Sequence, residues 1–156
     1  MPIYTYEGSD DIASVPLIRV AAGTDSSLVI IELQVWTRNP LSSQQMEFGW
    51  QVPDAATPGT FATTISAQKR WPGDPAAQCT VQTGVSSPAA YTDDTLVYER
   101  QPEDLSERSF IYRPEPGTGI AVGGGQKKDF LMIYQGDTEA AFTLRFVLKL
   151  QEGAIL

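Results

Sequence analysis

Strict alternation of apolar and polar side chains is the feature that most limits the folds open to this 156-residue chain. Over residues 142–151, phenylalanine and leucine occupy every second position, and mostly polar residues lie between them. The same period of two recurs over residues 45–52 and 77–82. A period of two places alternate side chains on opposite faces of an extended chain. Each segment therefore predicts a β-strand with one buried face and one solvated face.

Turn-forming clusters separate these segments, for example WPGDPAA at residues 71–77. No window keeps a helical period over three turns, and residues 102–108 are the one candidate for a short helix. Residues 83–94 predict a surface loop. We therefore predict an all-β fold: residues 1–156 form a single-domain antiparallel β-sandwich, jelly-roll-like, of about ten strands.

The missing residue types exclude several classes of function. The sequence has no histidine and one cysteine, Cys79, so nucleophiles activated by histidine and the usual zinc sites are excluded. The formal net charge is −8, which argues against nucleic acid and anionic membranes as partners. The start has no secretory signal pattern, and no apolar run approaches the ~20 residues of a membrane span. Cys79 alternates into a buried face, which indicates an inert core thiol.

The segment GIAVGGGQKKDFLMIYQ, residues 119–135, combines three consecutive glycines with two lysines. A Walker-type phosphate loop requires serine or threonine after its lysine and a helix after that. Here Lys127 is followed by Lys128, and the next residues have the composition of a strand. The glycines therefore predict a hairpin turn between two strands.

Acidic clusters leave two chemical alternatives open. Oxygen ligands from several loops could hold calcium, although no EF-hand pattern is present. Paired carboxylates could serve a glycosidase if two of them faced one another across a cleft. We expect solvated loop charges, and we predict no enzymatic activity, no cofactor and no metal. The residues concerned are Asp10, Asp11, Asp93, Asp94, Glu103, Asp104 and Glu107.

Aromatic and apolar residues at turns and near the chain ends are the candidates for partner contact. Residues 1–8 form a candidate N-terminal arm, and Trp71 lies in a predicted turn. Apolar ends pack either on a neighbouring subunit or on the sandwich of the same chain, and the sequence leaves both open. A sugar-binding platform of aromatic side chains is a further alternative. The predicted contact residues are Ile3, Tyr4, Tyr6, Trp71, Tyr91, Ile155 and Leu156.

The order of segments resembles a known group of proteins. A short start IYTYEG is followed by LVIIELQVWTR, MEFGWQV, WPGDPAAQCTVQTG, YRPEPGTGIAVGGG and a final FTLRFVLKL. This pattern, over residues 3–151, is similar to the small β-sandwich virion structural proteins encoded by tailed bacteriophages and prophages. The resemblance implies a capsid decoration (cement) protein that stabilises the shell by non-covalent contacts.

The resemblance also implies partners and a location. The partner would be the major capsid protein or another virion protein, and the chain would form a homo-oligomer, with a trimer favoured. It would be made in the cytoplasm of a host bacterium and act in the virion. The alternative is a carbohydrate- or receptor-binding β-sandwich module of a tail or fibre. An enzyme with paired carboxylates ranks last.

Overall fold

The structure of the chain is a computed structural model. It describes residues 1–11, 18–23, 25–37, 45–52, 59–88, 96–104, 109–123, 130–135 and 143–153. Twelve strands lie within these ranges, and none of these residues is helical. The strands are β1 (Ile3–Asp11), β2 (Ile18–Ala21), β3 (Ser27–Thr37), β4 (Gln45–Val52), β5 (Gly59–Ile65), β6 (Gln68–Lys69), β7 (Thr80–Pro88), β8 (Leu96–Asp104), β9 (Phe110–Tyr112), β10 (Ala121–Gly123), β11 (Phe130–Gln135) and β12 (Thr143–Glu152).

The strands form two six-stranded sheets in which neighbours run antiparallel. Sheet I has the order β10-β3-β12-β1-β6, and β9 also pairs with β3. Sheet II has the order β5-β7-β2-β11-β4-β8. The predicted all-β, antiparallel architecture is confirmed. The described residues contain no helix long and apolar enough to cross a membrane.

Three local predictions need correction. The candidate helix at 102–108 is strand β8 as far as Asp104, and the rest of it lies outside the described residues. The predicted loop at 83–94 begins as strand, because β7 continues to Pro88. The glycine-rich segment does not close a hairpin, because β10 before it belongs to sheet I and β11 after it belongs to sheet II.

Strand pairing is nested from the two ends of the chain toward its middle. The first strand, β1, pairs with the last, β12, over all nine of its residues. Next, β2 pairs with β11, β3 pairs with both β9 and β10, and β4 pairs with β8. The segment β5-β6-β7 is inserted between β4 and β8 along the chain. It extends sheet II beyond β2 through β7 and β5, and sheet I beyond β1 through β6.

The core lies between the sheets and follows the alternation of the sequence. On β12, Leu144, Phe146, Leu148 and Leu150 are buried, and the residues between them are only partly buried. A bulge in β3 opposite the Lys149–Leu150 step keeps the inward residues of both strands in phase. The remaining core is supplied by aliphatic and aromatic residues of both sheets: Tyr4, Tyr6, Ile18, Val20, Leu28, Ile30, Leu33, Val35, Val81, Phe110, Ile120 and Val122.

An ion-pair network on the outer face of sheet I ties β3 to β12 and to Arg113, the residue that follows β9. Glu32 of β3 accepts from Arg113 Nε at 3.1 Å and from Lys149 Nζ of β12 at 3.3 Å. Partial burial would raise the pKa of Glu32, but the hydrogen bonds from the two cations outweigh it and hold the pKa below its ordinary value. The ionised carboxylate is therefore favoured by folding.

Replacing Glu32 with glutamine should lower stability in a pH-dependent way. A carboxyl whose pKa is depressed by folding stabilises the fold above its unfolded pKa of about 4.3, and that stabilisation is lost as pH falls through the folded pKa. We expect Glu32→Gln to cost up to about 1 kcal/mol near neutral pH, because the side chains of Arg113 and Lys149 remain 65% and 40% exposed to solvent, which screens the ion pairs. Urea unfolding at neutral pH and at about pH 2.5, where the difference should vanish, measures this. Glu115→Gln in the exposed turn is the control, and an equal loss there would contradict the assignment.

Candidate functional site

Residues 70–79 form a loop that crosses the end of the sandwich, and we call it the Trp71 loop. It leaves β6 in sheet I and enters β7 in sheet II. A tight turn forms its tip, where the backbone N–H of Asp74 donates to the carbonyl of Trp71 at 3.0 Å. The indole lies across Gly73, since a Cβ added there would come within 3.0 Å of Trp71 Nε1. Even so, 69% of Trp71 is exposed.

Buried side chains of β1 form hydrogen bonds with the backbone of this loop. The hydroxyl of Tyr4 donates to the carbonyl of Pro75 at 2.8 Å. The hydroxyl of Tyr6 donates a longer bond, 3.4 Å, to the carbonyl of Cys79. At the start of the loop, the N–H of Arg70 donates to the carbonyl of Ile3 at 3.2 Å, which extends the β1–β6 pairing by one step. Two tyrosine rings in the core thus carry their polar ends to the loop backbone.

A buried carboxylate provides the third attachment. Glu152, at the end of β12, is 5% exposed. Its carboxylate accepts from the N–H of Gln78 at 2.9 Å and from the N–H of Cys79 at 2.7 Å. Hydrogen bonds of this charge-assisted kind are about twice as strong as neutral ones. The loop backbone is therefore fixed to both β1 and β12 just before it becomes β7.

The ionisable side chains of Cys79 and Tyr6 at the base of the loop are held in their neutral forms. Burial and the adjacent Glu152 carboxylate raise the pKa of the Cys79 thiol, so this thiol stays protonated and unreactive. Burial also raises the pKa of Tyr6. No group of three His, Cys, Asp or Glu side chains that could hold a metal occurs in the described ranges. What the loop presents is an exposed indole on a fixed backbone.

Two basic residues precede Trp71 in a chain that is acidic overall. Lys69 and Arg70 immediately precede Trp71, both are exposed, and neither forms an ion pair with another described residue. The chain as a whole carries 11 basic and 19 acidic residues. The exposed indole of Trp71 thus follows two basic residues, Lys69 at the end of β6 and Arg70, while the loop also carries one acidic residue, Asp74.

The predicted contact residues differ in their exposure to solvent. Trp71 is exposed, and Ile3 lies beside the start of its loop. Tyr4 and Tyr6 were predicted to contact a partner, but both are fully buried in the core and cannot do so through their side chains. The predictions for Tyr91, Ile155 and Leu156 lie outside the described residues.

The candidate N-terminal arm is likewise a strand of the sandwich. Residues 3–11 are strand β1, which lies between β12 and β6. The physical reason is the alternation in IYTYEG, which turns both tyrosines to the core and leaves Ile3 and Thr5 on the outer face. Of the alternatives left open for the N-terminal end, packing on the chain's own sandwich is the one observed.

Sequence reasoning missed Glu152, although a signal for it existed. The inward positions of β12 recur every second residue from Leu144 to Leu150, and the next position in that phase is Glu152. A carboxylate at an inward position is uncommon unless it has partners. Here the partners are backbone amides of a loop distant in sequence, which no local pattern identifies.

Comparisons with known proteins give little further information. No protein-family model matches the sequence, and a search of curated proteins gives no match. A solved structure described as "Structure of a marine algae virus of the order Picornavirales" is similar with a TM-score of 0.35 and 10% sequence identity, over 94% of this chain. The chain spans 66% of the virus chain, just under two thirds of its length. Because this likeness is weak, the architecture is defined here by the strand pairing alone.

Proposed function

We propose that this chain is a virion structural protein, most specifically a capsid decoration (cement) protein, and that it binds its partner through the Trp71 loop. The observation that carries the proposal is the nested strand pairing. Because one architecture can serve many purposes, a second observation is needed beside the fold. The exposed and anchored indole supplies the second element, a means of attachment.

Nested pairing is the arrangement expected of a jelly roll. A long antiparallel hairpin rolled up into two sheets pairs its first strand with its last, its second with its second-to-last, and so on inward. The pairs β1–β12, β2–β11, β3–β9/β10 and β4–β8 follow this scheme once the β5-β6-β7 insertion is set aside. Jelly rolls are found in viral capsid proteins, lectins and cupins. A structural role in a virion agrees with this architecture and with the resemblance carried by the sequence.

The Trp71 loop has the properties of an interface anchor. Tryptophan, tyrosine and arginine dominate the binding energy of protein interfaces because they bury large areas in desolvated pockets. An anchor already fixed before binding loses little conformational entropy on association. The hydrogen bonds from Tyr4 and to Glu152 provide that fixation here. Trp71 would insert into a pocket on the capsid protein, with Lys69 and Arg70 facing acidic groups at its rim.

A decoration protein of this kind requires no chemical reaction. If the pocket for Trp71 exists only on the assembled shell, binding stabilises that shell by mass action over its free subunits. The proposed partner is the major capsid protein or another virion protein, and the proposed location is the virion after synthesis in the host cytoplasm. The trimer expected from the resemblance remains part of this proposal.

The virion role can be tested directly on particles. Antibodies raised against the purified chain should label virus particles isolated from the organism that carries the gene, in immunogold electron microscopy. Quantitative mass spectrometry of the same particles should find the chain in copy numbers comparable to the major capsid protein. Particles that lack the chain would exclude the virion role.

Replacing Trp71 with alanine should weaken attachment. We expect Trp71→Ala to lower the affinity for particles stripped of this protein by at least about 30-fold, as expected for truncation of a central anchor. The fold should remain intact because the indole is mostly exposed. Co-sedimentation measures the affinity, and Ile111→Ala is the matched control, since Ile111 is the exposed apolar residue on β9 at the opposite edge of sheet I. Equal binding by Trp71→Ala and the unmodified chain would exclude the loop as the anchor.

The second candidate function is carbohydrate binding, and the same loop favours it. An exposed indole can stack on a sugar ring, and the adjacent Lys69 and Arg70 would suit an acidic glycan. Lectins are also jelly rolls. A glycan array probed with the chain and with Trp71→Ala distinguishes the two functions. Binding to an acidic glycan that is lost in Trp71→Ala, with no labelling of virus particles, would favour the receptor- or carbohydrate-binding module.

A further inference from the structure

The strands at the sheet edges differ in how well they are protected from pairing with other chains. Exposed edges are usually short, or carry charged residues or proline. In sheet I, β9 and β10 have three residues each, and β6 has two, one of them Lys69. In sheet II, β8 is nine residues long but its sequence LVYERQPED contains four charged residues and a proline. Each of these edges therefore carries a protective feature.

Strand β5, at the other edge of sheet II, has none of these features. It has seven residues, GTFATTI, with no charge and no proline, and residues 55–68 around it contain no charged side chain. Among the described strands, only β7 pairs with it. Thr60, Ala62, Thr63 and Thr64 are exposed. A long, uncharged edge strand presents a row of unpaired backbone donors and acceptors to any extended chain.

The charges of the molecule indicate which strand would pair there. Two copies of a chain with net charge −8 repel one another over most of their surfaces. At β5 this repulsion is weak, because no acidic side chain lies between residues 55 and 68. Antiparallel self-pairing across a two-fold axis sets each residue of β5 opposite another residue of β5, so no like charges meet. Threonine side chains facing one another are favourable cross-strand neighbours.

We propose that β5 pairs antiparallel with β5 of a second copy of this chain, which joins two six-stranded sheets into one continuous sheet. This inference is independent of the proposed virion function, because it concerns contact between copies of the chain. A two-fold contact at β5 joins copies in pairs, so it does not by itself produce the trimer that the resemblance implies. The Trp71 loop lies beyond β6 and stays available to a different partner.

Solution mass and amide hydrogen exchange test the proposal together. We expect the purified chain to have twice its monomer mass by analytical ultracentrifugation at about 100 µM, with dissociation on dilution. Amides of β5 should exchange slowly in the dimer and more rapidly on dilution, because outward N–H groups lose their partners. A monomer at every concentration up to about 100 µM overturns the proposal. So does protection of every β5 amide in the monomer, because the edge would then be covered by the chain itself.

Charge placed on the edge should break the dimer. The double variant Ala62→Lys/Thr64→Lys adds two cations to the exposed face of each β5, and these meet their equivalents across the two-fold axis. We expect the dimer dissociation constant to rise at least about 100-fold with the thermal midpoint of the monomer preserved. The control Pro116→Lys/Thr118→Lys adds the same charge to an exposed turn after β9. A dimer that persists in the edge variant, or that is lost equally in the control, contradicts pairing at β5.

Discussion

Phe146→Ala is expected to lower the free energy of unfolding by about 3–5 kcal/mol, the usual range for truncating a buried phenylalanine. Phe146 is 1% exposed and lies on β12, the strand between β3 and β1. Its ring covers Gly8 of β1, which is its direct cross-strand partner: a Cβ added at Gly8 would lie 2.8 Å from the ring Cζ. The same added Cβ would lie 2.9 Å from Ile65 Cδ1 of β5. Removing the ring therefore opens a cavity where both sheets meet.

A second variant, Gly8→Ala, tests the contact between Gly8 and the Phe146 ring, both alone and combined with Phe146→Ala. Alone, it should be destabilising, because the new methyl group requires the Phe146 ring or Ile65 to move. Combined with Phe146→Ala, its cost should shrink or change sign, since the methyl group then enters the cavity. A double-mutant cycle by urea unfolding measures the coupling. Val147→Ala, one residue along on the outer face, is the control and should cost clearly less. Additive effects in the cycle would mean that the ring does not pack on Gly8.

Glu152→Ala is expected to destabilise the fold by about 2–4 kcal/mol, because it leaves one buried and one partly buried backbone N–H group without acceptors. These are the N–H groups of Gln78 and Cys79, which both donate to the Glu152 carboxylate. Their loss should also release the Trp71 loop, whose remaining attachments are the bonds to Ile3, from Tyr4 and from Tyr6. Attachment through Trp71 should then weaken even where the chain remains folded, because an unfixed anchor loses more entropy on binding.

Two measurements separate these effects. Urea unfolding gives the loss of stability, and amide hydrogen exchange at Gln78 and Cys79 gives the local release of the loop. Glu152→Gln is the intermediate variant, since its amide oxygen can still accept a hydrogen bond while its amide NH₂ cannot. Its free energy of unfolding should fall between those of the unmodified chain and Glu152→Ala. Glu7→Ala, an exposed glutamate on β1, is the control for loss of charge. A Glu152→Ala variant within about 0.5 kcal/mol of the unmodified chain would show that the carboxylate does not anchor the loop.

The strands themselves could be predicted because their signal is local. Alternation over 142–151 predicted β12 with its inward and outward faces in the observed phase. The same reasoning located β4 and the start of β7. The candidate helix at 102–108 was wrong in the part that the structure describes, because the ladder that β8 forms with β4 outweighs a weak local helix signal. The two-residue strand β6 was missed, since it exists only through its pairing with β1.

The candidate site could be predicted only in part. A tryptophan in a turn was an identifiable contact residue from sequence, and Trp71 is indeed exposed. The tyrosines of IYTYEG were assigned to a partner because apolar residues near a chain end admit two environments that sequence does not distinguish. The structure places them under the Trp71 loop, where they hold it in place. In the proposed binding mode these tyrosines would therefore act indirectly, by fixing the loop.

By itself, the sequence determined that the chain is built of β-strands, which faces of those strands are apolar, and that histidine-dependent chemistry is absent. These properties depend on residue type and on spacing of a few residues. Only the tertiary structure decided that β1 pairs with β12, that Glu152 reaches the backbone of the Trp71 loop, and that β5 lies at an unprotected edge. The reason is that pairing and edge position join residues up to about 150 positions apart, and the free energy of such contacts depends on the complete set of strands.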